Sequence, residues 1–377
     1  MSIGGVEKSL LDLLRHVDYN RYNLDLLLLE DKEDYLDEIP PPVRIIYRNL
    51  TNTHGSVVSS LKRCLVDKDW FCFRMRLILF AAKILGDKWL RLARDMFVGS
   101  NSYDIAVGYR PGMSSDLVAH AVNATRKLAW WHHGRIRMDA TQRAKFEQSC
   151  TYFDNIVTVS DGCSEMLKRE FPTIKRKLVV IPNIIDVRAI NAKAESYNPY
   201  DNESIFRIVT VCRLTTEKHV ENAVYAAEQL RQQGICDFIW HIIGDGPERE
   251  NVETLILEKG LQNYFSVEGN LSNPYPYLKH GDLYVHTSYA ESQGIAILEA
   301  MAVGLPCVVT RCLGPEGYIR NGKNGLLVEK GASFLSQGIA YLKTRPRLYK
   351  SLQANTHCPM NYSGEKVMSK IDTFIHG

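Results

Sequence analysis

Short apolar, β-branched runs alternate with stretches of helical period along nearly the whole chain, and this alternation leaves few folds open. Strands separated by helices pair in parallel, and a parallel sheet needs helices on both faces. In the first half the strand-like runs are 23–30, 43–48, 104–109, 127–132, 155–160 and 177–182. In the second half they are 206–213, 238–244, 264–269, 282–287, 307–310 and 326–329. Amphipathic stretches fall between them, 220–233 and 248–260 among them. The polar stretch 192–204, which contains Asn and Pro, has no period and reads as a linker. With 377 residues the chain is too long for one ordinary core and suits two. The expectation is two doubly wound α/β domains, 1–191 and 205–361, facing one another across a cleft. A last helix within 362–377 would cross back to the first domain.

The chemistry concentrates in Glu291-Ser-Gln-Gly-Ile-Ala-Ile-Leu-Glu299. A strand-like run precedes it, and an apolar helix follows Gly294 until Gly304 and Pro306 stop it. A strand, a glycine-bearing loop and a helix start together make an anion site, because unpaired N–H groups and the helix dipole both favour phosphate. The amides of Gly294, Ile295 and Ala296 would face that anion. Carboxylates beside it are poor phosphate ligands but good acceptors from sugar hydroxyls. Glu291 is therefore expected against a transferred sugar and Glu299 against a ribose diol, and the pattern implies a ligand carrying both diphosphate and sugar. Arg213 and Lys218 follow the run 206–212, at the strand end where parallel sheets bind ligands. A planar fork and a mobile point charge suit a diphosphate leaving group.

The spacing of the two glutamates resembles the Glu-x7-Glu motif of retaining glycosyltransferases of family 4, which have the GT-B fold. Five further segments resemble that family in the expected order. They are Gly4-Gly5-Val-Glu-Lys-Ser-Leu, Ala129-Trp-Trp-His132, Thr158-Val-Ser160-Asp161 with Val180-Ile-Pro-Asn183, Arg213-Leu-Thr-Thr-Glu-Lys218, and Ile243-Gly-Asp-Gly-Pro247. The resemblance implies that Gly4 and Gly5 open a loop near the phosphates and that Gly244 turns the chain near the nucleotide. It also implies that His132 faces the donor sugar, with His133 the other candidate. The implied activity is hexose transfer from a nucleotide diphosphate sugar, UDP by default, to a lipid-linked glycan acceptor, as in O-antigen, capsule or lipopolysaccharide assembly. Family members carry an apolar strand directly before the glycine loop. This chain begins at the loop, so the expectation is a start upstream of Met1.

Other signals narrow the reading. The one D-x-D, Asp67-Lys-Asp69, is read inside a basic helical stretch and not at a strand end, so no catalytic metal and no cofactor beyond the nucleotide sugar are expected. Gly244-Asp-Gly246 lacks the third glycine of a dinucleotide fingerprint, since Arg249 stands there. The nine cysteines have no paired or zinc-like spacing and read as reduced thiols of a cytoplasmic protein; Cys72, Cys212 and Cys307 read as core. A formal net charge of +3 does not imply nucleic-acid binding. The opening Met1-Ser-Ile-Gly-Gly has no basic start or apolar core, so no secretory leader is expected. The apolar run 77–82 is bounded by Arg76 and Lys83, far short of the ~20 residues of a membrane span. The segment 59–97 carries nine Lys and Arg against four Asp, with Trp70, Phe71, Phe73, Phe80 and Trp89 among them. Two readings stay open for it: an anionic membrane surface at the inner face of the cytoplasmic membrane, or aromatics buried in the first domain.

Overall fold

A computed structural model describes residues 4–29, 36–99, 101–200 and 205–376. The end of the expected first strand, Glu30, and the linker residues 201–204 lie outside the described residues. Twelve strands form among the described residues, one within or overlapping each expected run. The chain divides into two compact units, one of residues 1–132, 136–159 and 164–181 and the other of residues 133–135, 160–163 and 182–377.

The first unit holds β1 (Asp25–Leu28), β2 (Arg44–Tyr47), β3 (Ser102–Gly108), β4 (Asn123–Trp131), β5 (Asn155–Thr158) and β6 (Leu178–Val180). Its helices are α1 (Gly5–His16), α2 (Val57–Val66), α3 (Trp70–Leu85), α4 (Arg94–Phe97), α5 (Met113–Ala121) and α6 (Ala140–Cys150), with most of α7 (Asp161–Glu170). All pairings are parallel, but the strands fall into two sheets, β1-β2 and β3-β4-β5-β6. The Tyr103 hydroxyl on β3 donates to Asp25 of β1 at 2.7 Å, linking the sheets through side chains instead of a ladder. The main core packs Met75, Leu90, Ala93 and Phe97 against Leu117 and Ala121. A smaller one sets Leu11 and Leu14 of α1 on Ile39 and Val43.

Local sequence explains where these helices start. Ser56 accepts from the Ser59 amide at 3.2 Å and begins α2, and Asp69 accepts from the Cys72 amide at 2.9 Å and begins α3. Each cap satisfies one of the amides that a helix start leaves unpaired. The D-x-D is thereby corrected: it is the turn between α2 and α3, with Lys68 at φ 55°, and not the inside of a helix.

The second unit is a single six-stranded parallel sheet. Its strands are β7 (Phe206–Val211), β8 (Phe238–Ile243), β9 (Phe265–Gly269), β10 (Leu283–His286), β11 (Cys307–Thr310) and β12 (Leu326–Val328), in the order β12-β11-β10-β7-β8-β9. Its helices are α8 (Val187–Ala194), α9 (Glu221–Gln232), α10 (Arg249–Glu258), α11 (Tyr275–His280), α12 (Ile295–Ala302), α13 (Ala332–Lys343), α14 (Pro346–Asn355) and α15 (Gly364–His376). Residues 192–194, read as linker, are the last turn of α8, which starts where Asp186 accepts from the Ala189 amide.

The sheet is buried on both faces, as continuous apolar strands require. Ile208, Leu283, Val285 and Val308 face one core with α9 and α13, while Val209, Tyr284 and Val309 face another with α12. Each such side chain contributes roughly 1.5–3 kcal/mol of burial. Trp240, wholly buried, keeps its Nε1–H satisfied by Thr210 Oγ1 at 3.0 Å. The chain runs outward from β7 through β8 and β9, then returns to place β10 on the other side of β7. Open parallel sheets bind ligands at the carboxyl ends of the two strands flanking such a reversal.

Candidate active site

Lys218 and Glu291 meet at that reversal. Lys218 closes the short loop after β7, and Glu291 lies in the loop after β10. The Thr287 hydroxyl donates to the Lys218 carbonyl at 2.6 Å, fixing one loop on the other. Lys218 Nζ donates to Glu291 Oε1. His286, the last residue of β10, sets its Nε2 3.2 Å from the same oxygen and its Nδ1 3.1 Å from the Thr310 hydroxyl. A neutral imidazole facing a carboxylate carries its hydrogen on Nε2, and the Thr310 hydroxyl beside Nδ1 donates its own hydrogen to the Ser288 carbonyl.

The electrostatics follow from burial and charge in competition. Burial alone would raise the Glu291 carboxyl, but the Lys218 charge, with hydrogen bonds from His286 and Lys218, holds it well below the usual carboxylate range. Burial would lower the Lys218 ammonium, and the Glu291 charge outweighs it and raises it. For His286 burial wins: its imidazole is pushed below the ordinary value although Glu291 opposes the shift. The result is a charged pair steadied by a neutral imidazole.

Beyond Glu291 the chain turns through Gly294, at φ 78°, and enters α12. A Cβ at Gly294 would stand 2.9 Å from Ile297 Cδ1 and 3.0 Å from the Tyr318 hydroxyl. That hydroxyl donates to the Gln293 carbonyl at 2.9 Å and holds the turn. The amides of Gly294, Ile295 and Ala296 have no acceptor among the described residues. They are the donors a helix start offers an anion. Arg213 is exposed just past β7, and its side chain makes no hydrogen bond or ion pair among the described residues. Glu299, 5% exposed on α12, accepts from the Tyr275 hydroxyl at 3.0 Å. Gly244 has a packing reason of its own, since a Cβ there would stand 1.8 Å from the Cys212 carbonyl oxygen.

In the first unit His132 follows β4, buried, with its ring 4.9 Å from that of Tyr109. His133 is exposed. The Tyr109 hydroxyl lies 3.1 Å from Ser9 Oγ on α1, the helix that Gly4 precedes and Gly5 begins. Neither glycine takes a positive φ. The expected site residues thus form one group around His132 and α1 and another around Lys218, Glu291 and α12. Sequence reasoning passed over His286, Thr310, Tyr275, Tyr318 and Tyr109. Only His286 left a signal, as a histidine at the end of an otherwise apolar strand. Among the described residues, no three His, Cys, Asp or Glu side chains gather as a metal-binding group, and all nine cysteines are free.

Solved structures share this architecture along almost the entire chain. A glycosyltransferase from Rickettsia africae superimposes with a TM-score of 0.70, covering 99% of this chain and 94% of that one at 20% identity. Anabaena HepE in complex with UDP and glucose gives 0.72, with 99% and 96% covered at 16% identity. The fold is GT-B. Residues 192–357 match the family model of glycosyl transferases group 1, which places a domain of that kind in the second unit of this GT-B chain. The lipopolysaccharide core biosynthesis glycosyltransferase LpsD of Rhizobium meliloti is 30% identical over 183 residues, 48% of this chain and 51% of that protein. The α-monoglucosyldiacylglycerol synthase of Acholeplasma laidlawii is 26% identical over 168 residues, 44% of this chain and 42% of that protein. The chain spans about half the length of the curated relatives it matches first.

Proposed function

We propose that the protein is a retaining, metal-independent glycosyltransferase. It moves a hexose from a nucleotide diphosphate sugar, UDP by default, to a lipid-linked glycan at the inner face of the cytoplasmic membrane. The product class is lipopolysaccharide core, O-antigen or capsule. One observation carries this reading: the Lys218–Glu291 pair stands at the sheet reversal, in the loops that also bear unpaired Arg213 and the three open amides of α12.

Each part has a role in a reaction whose transition state resembles an oxocarbenium ion leaving a diphosphate. Arg213 and the amides of Gly294, Ile295 and Ala296 bind the diphosphate oxygens. Lys218 turns from Glu291 to the same oxygens as charge builds on them, and Glu291 then takes a sugar hydroxyl while His286 keeps it aimed. Glu299 accepts from the ribose diol. His132 is a hydrogen-bond donor for the sugar. The bond from the anomeric carbon to the β-phosphate oxygen breaks, and the acceptor oxygen bonds to that carbon on the same face. Its proton passes to the departing phosphate. Fixed cations and amides aimed at developing charge are the main term such a site supplies. Two protein cations beside the diphosphate do the neutralising that a bridging metal does elsewhere.

Incubation with labelled nucleotide sugar and a lipid-linked acceptor tests the reading. Labelled lipid supports it. Isomerised donor would make the protein an epimerase on the same fold, and an unchanged donor that still raises thermal stability would make it a binding module.

A further inference from the structure

Helix α3 carries large apolar residues on opposite faces, yet the fold covers only one of them. Cys72, Met75, Ile78 and Ala82 are buried in the first unit. The opposite face runs through positions 70, 74, 77, 81 and 84, the spacing of a single helical stripe. Trp70 is 63% exposed and Ile84 61%, with Leu77, Phe80 and Leu85 exposed beside them. A row of exposed large apolar side chains opposite a buried face asks for a covering partner. The flanking elements continue the pattern, since Val66 on α2 is 81% exposed and Leu92 on the following 3-10 helix is exposed too.

Charge says what the partner is. The side chains of Lys62, Lys68, Arg74, Lys83, Lys88 and Arg91 make no hydrogen bond or ion pair among the described residues, and all six residues are exposed. Asp69, in contrast, is engaged by the Cys72 amide and by Asn52. A second copy of the chain in a two-fold contact would bring this face against itself, like charge on like charge. A bilayer with anionic headgroups answers both features, taking the apolar stripe into its interface and the cations onto its surface. The helix cannot cross: at 16 residues it spans about 24 Å against a hydrocarbon core of about 30 Å. Resting on the lipid-linked acceptor proposed above, we infer that α3 is a docking face that seats the first unit on an anionic membrane surface.

The full chain is floated with vesicles of phosphatidylcholine alone or mixed with phosphatidylglycerol, at about 50 mM and about 500 mM salt, a change that shortens the Debye length severalfold. Binding should require phosphatidylglycerol and fall at least tenfold at the higher salt. Replacing Arg74, Lys83 and Lys88 together with Gln should weaken it at least tenfold, as should Trp70→Gln with Leu77→Gln and Ile84→Gln. Both variants should hydrolyse donor in vesicle-free solution at the wild-type rate. Vesicle binding that persists when donor turnover is absent supports the docking face while sinking the proposed activity. No vesicle binding at low salt overturns the inference, as does equal binding without anionic lipid. So does a wild-type dimer that the apolar triple replacement turns into monomer.

Discussion

Glu291 has Lys218 on one side and His286 on the other; both hold the carboxylate charged, while burial keeps His286 neutral. Removing Lys218 takes away the partner of a half-buried carboxylate and, in the proposed reaction, a cation for the diphosphate. Lys218→Ala and Arg213→Ala should each lower kcat/KM by about 10²–10³, the usual cost of one aimed donor, with circular dichroism unchanged; near-wild-type rates in both would misplace the donor site. His286 adds a pH dependence. Its folded value lies below the ordinary imidazole value, so its stabilisation is complete above the unfolded pKa of about 6.5 and is lost as pH falls through the folded one. The groups facing it are Glu291, Lys218 and Thr310. His286→Gln, which keeps an N–H donor, should flatten the decline in urea midpoint as pH falls below about 6.5. Lys218 and Glu291 were legible in the sequence because spacing beside a strand end and a glycine marks them. Tyr275 was not, because its meeting with Glu299 depends on how α11 packs near α12 and no local pattern encodes that.

At the scale of elements, the strand ends and α12 hold the loops of Lys218 and Glu291 by backbone proximity. Gly244 and Gly294 mark the two tightest places. Gly294→Ala forces a left-handed residue, costing roughly 1–2 kcal/mol, and crowds Ile297 and the Tyr318 hydroxyl. Gly244→Ala drives a Cβ into the Cys212 carbonyl oxygen and must part β7 from β8. Thermal unfolding should therefore show a larger loss of midpoint for Gly244→Ala. Gly294→Ala should lose more donor affinity than stability, and an inverted order would assign the glycines wrongly. All twelve strands were legible because hydrophobic runs with breakers encode them locally. The turn at 67–69 was not, since α2 and α3 share one basic, apolar composition across it and only the caps at Asp67 and Asp69 separate them. Composition also left open whether the aromatics of 59–97 are buried. The structure divides them: Phe71 packs into the core while Trp70 and Phe80 stay exposed.

At the scale of the molecule, the alternation of strands and helices specified the doubly wound second unit, because its inner strands β7, β8, β10 and β11 are buried and read as largely apolar. The first unit was less legible. Its β1-β2 pair and its four-stranded sheet read as one sheet in sequence, since a strand's own residues do not say which edge goes unpaired. The central claim is that fixed protein cations at this sheet reversal drive sugar transfer with retention. The direct measurement is the anomeric configuration, by proton NMR, of the product formed from UDP-α-hexose and a lipid-linked acceptor in excess EDTA. The account predicts an α-linked product and free UDP at an undiminished rate, both lost in Lys218→Ala. A β-linked product, or complete loss on chelation restored by manganese, would contradict it.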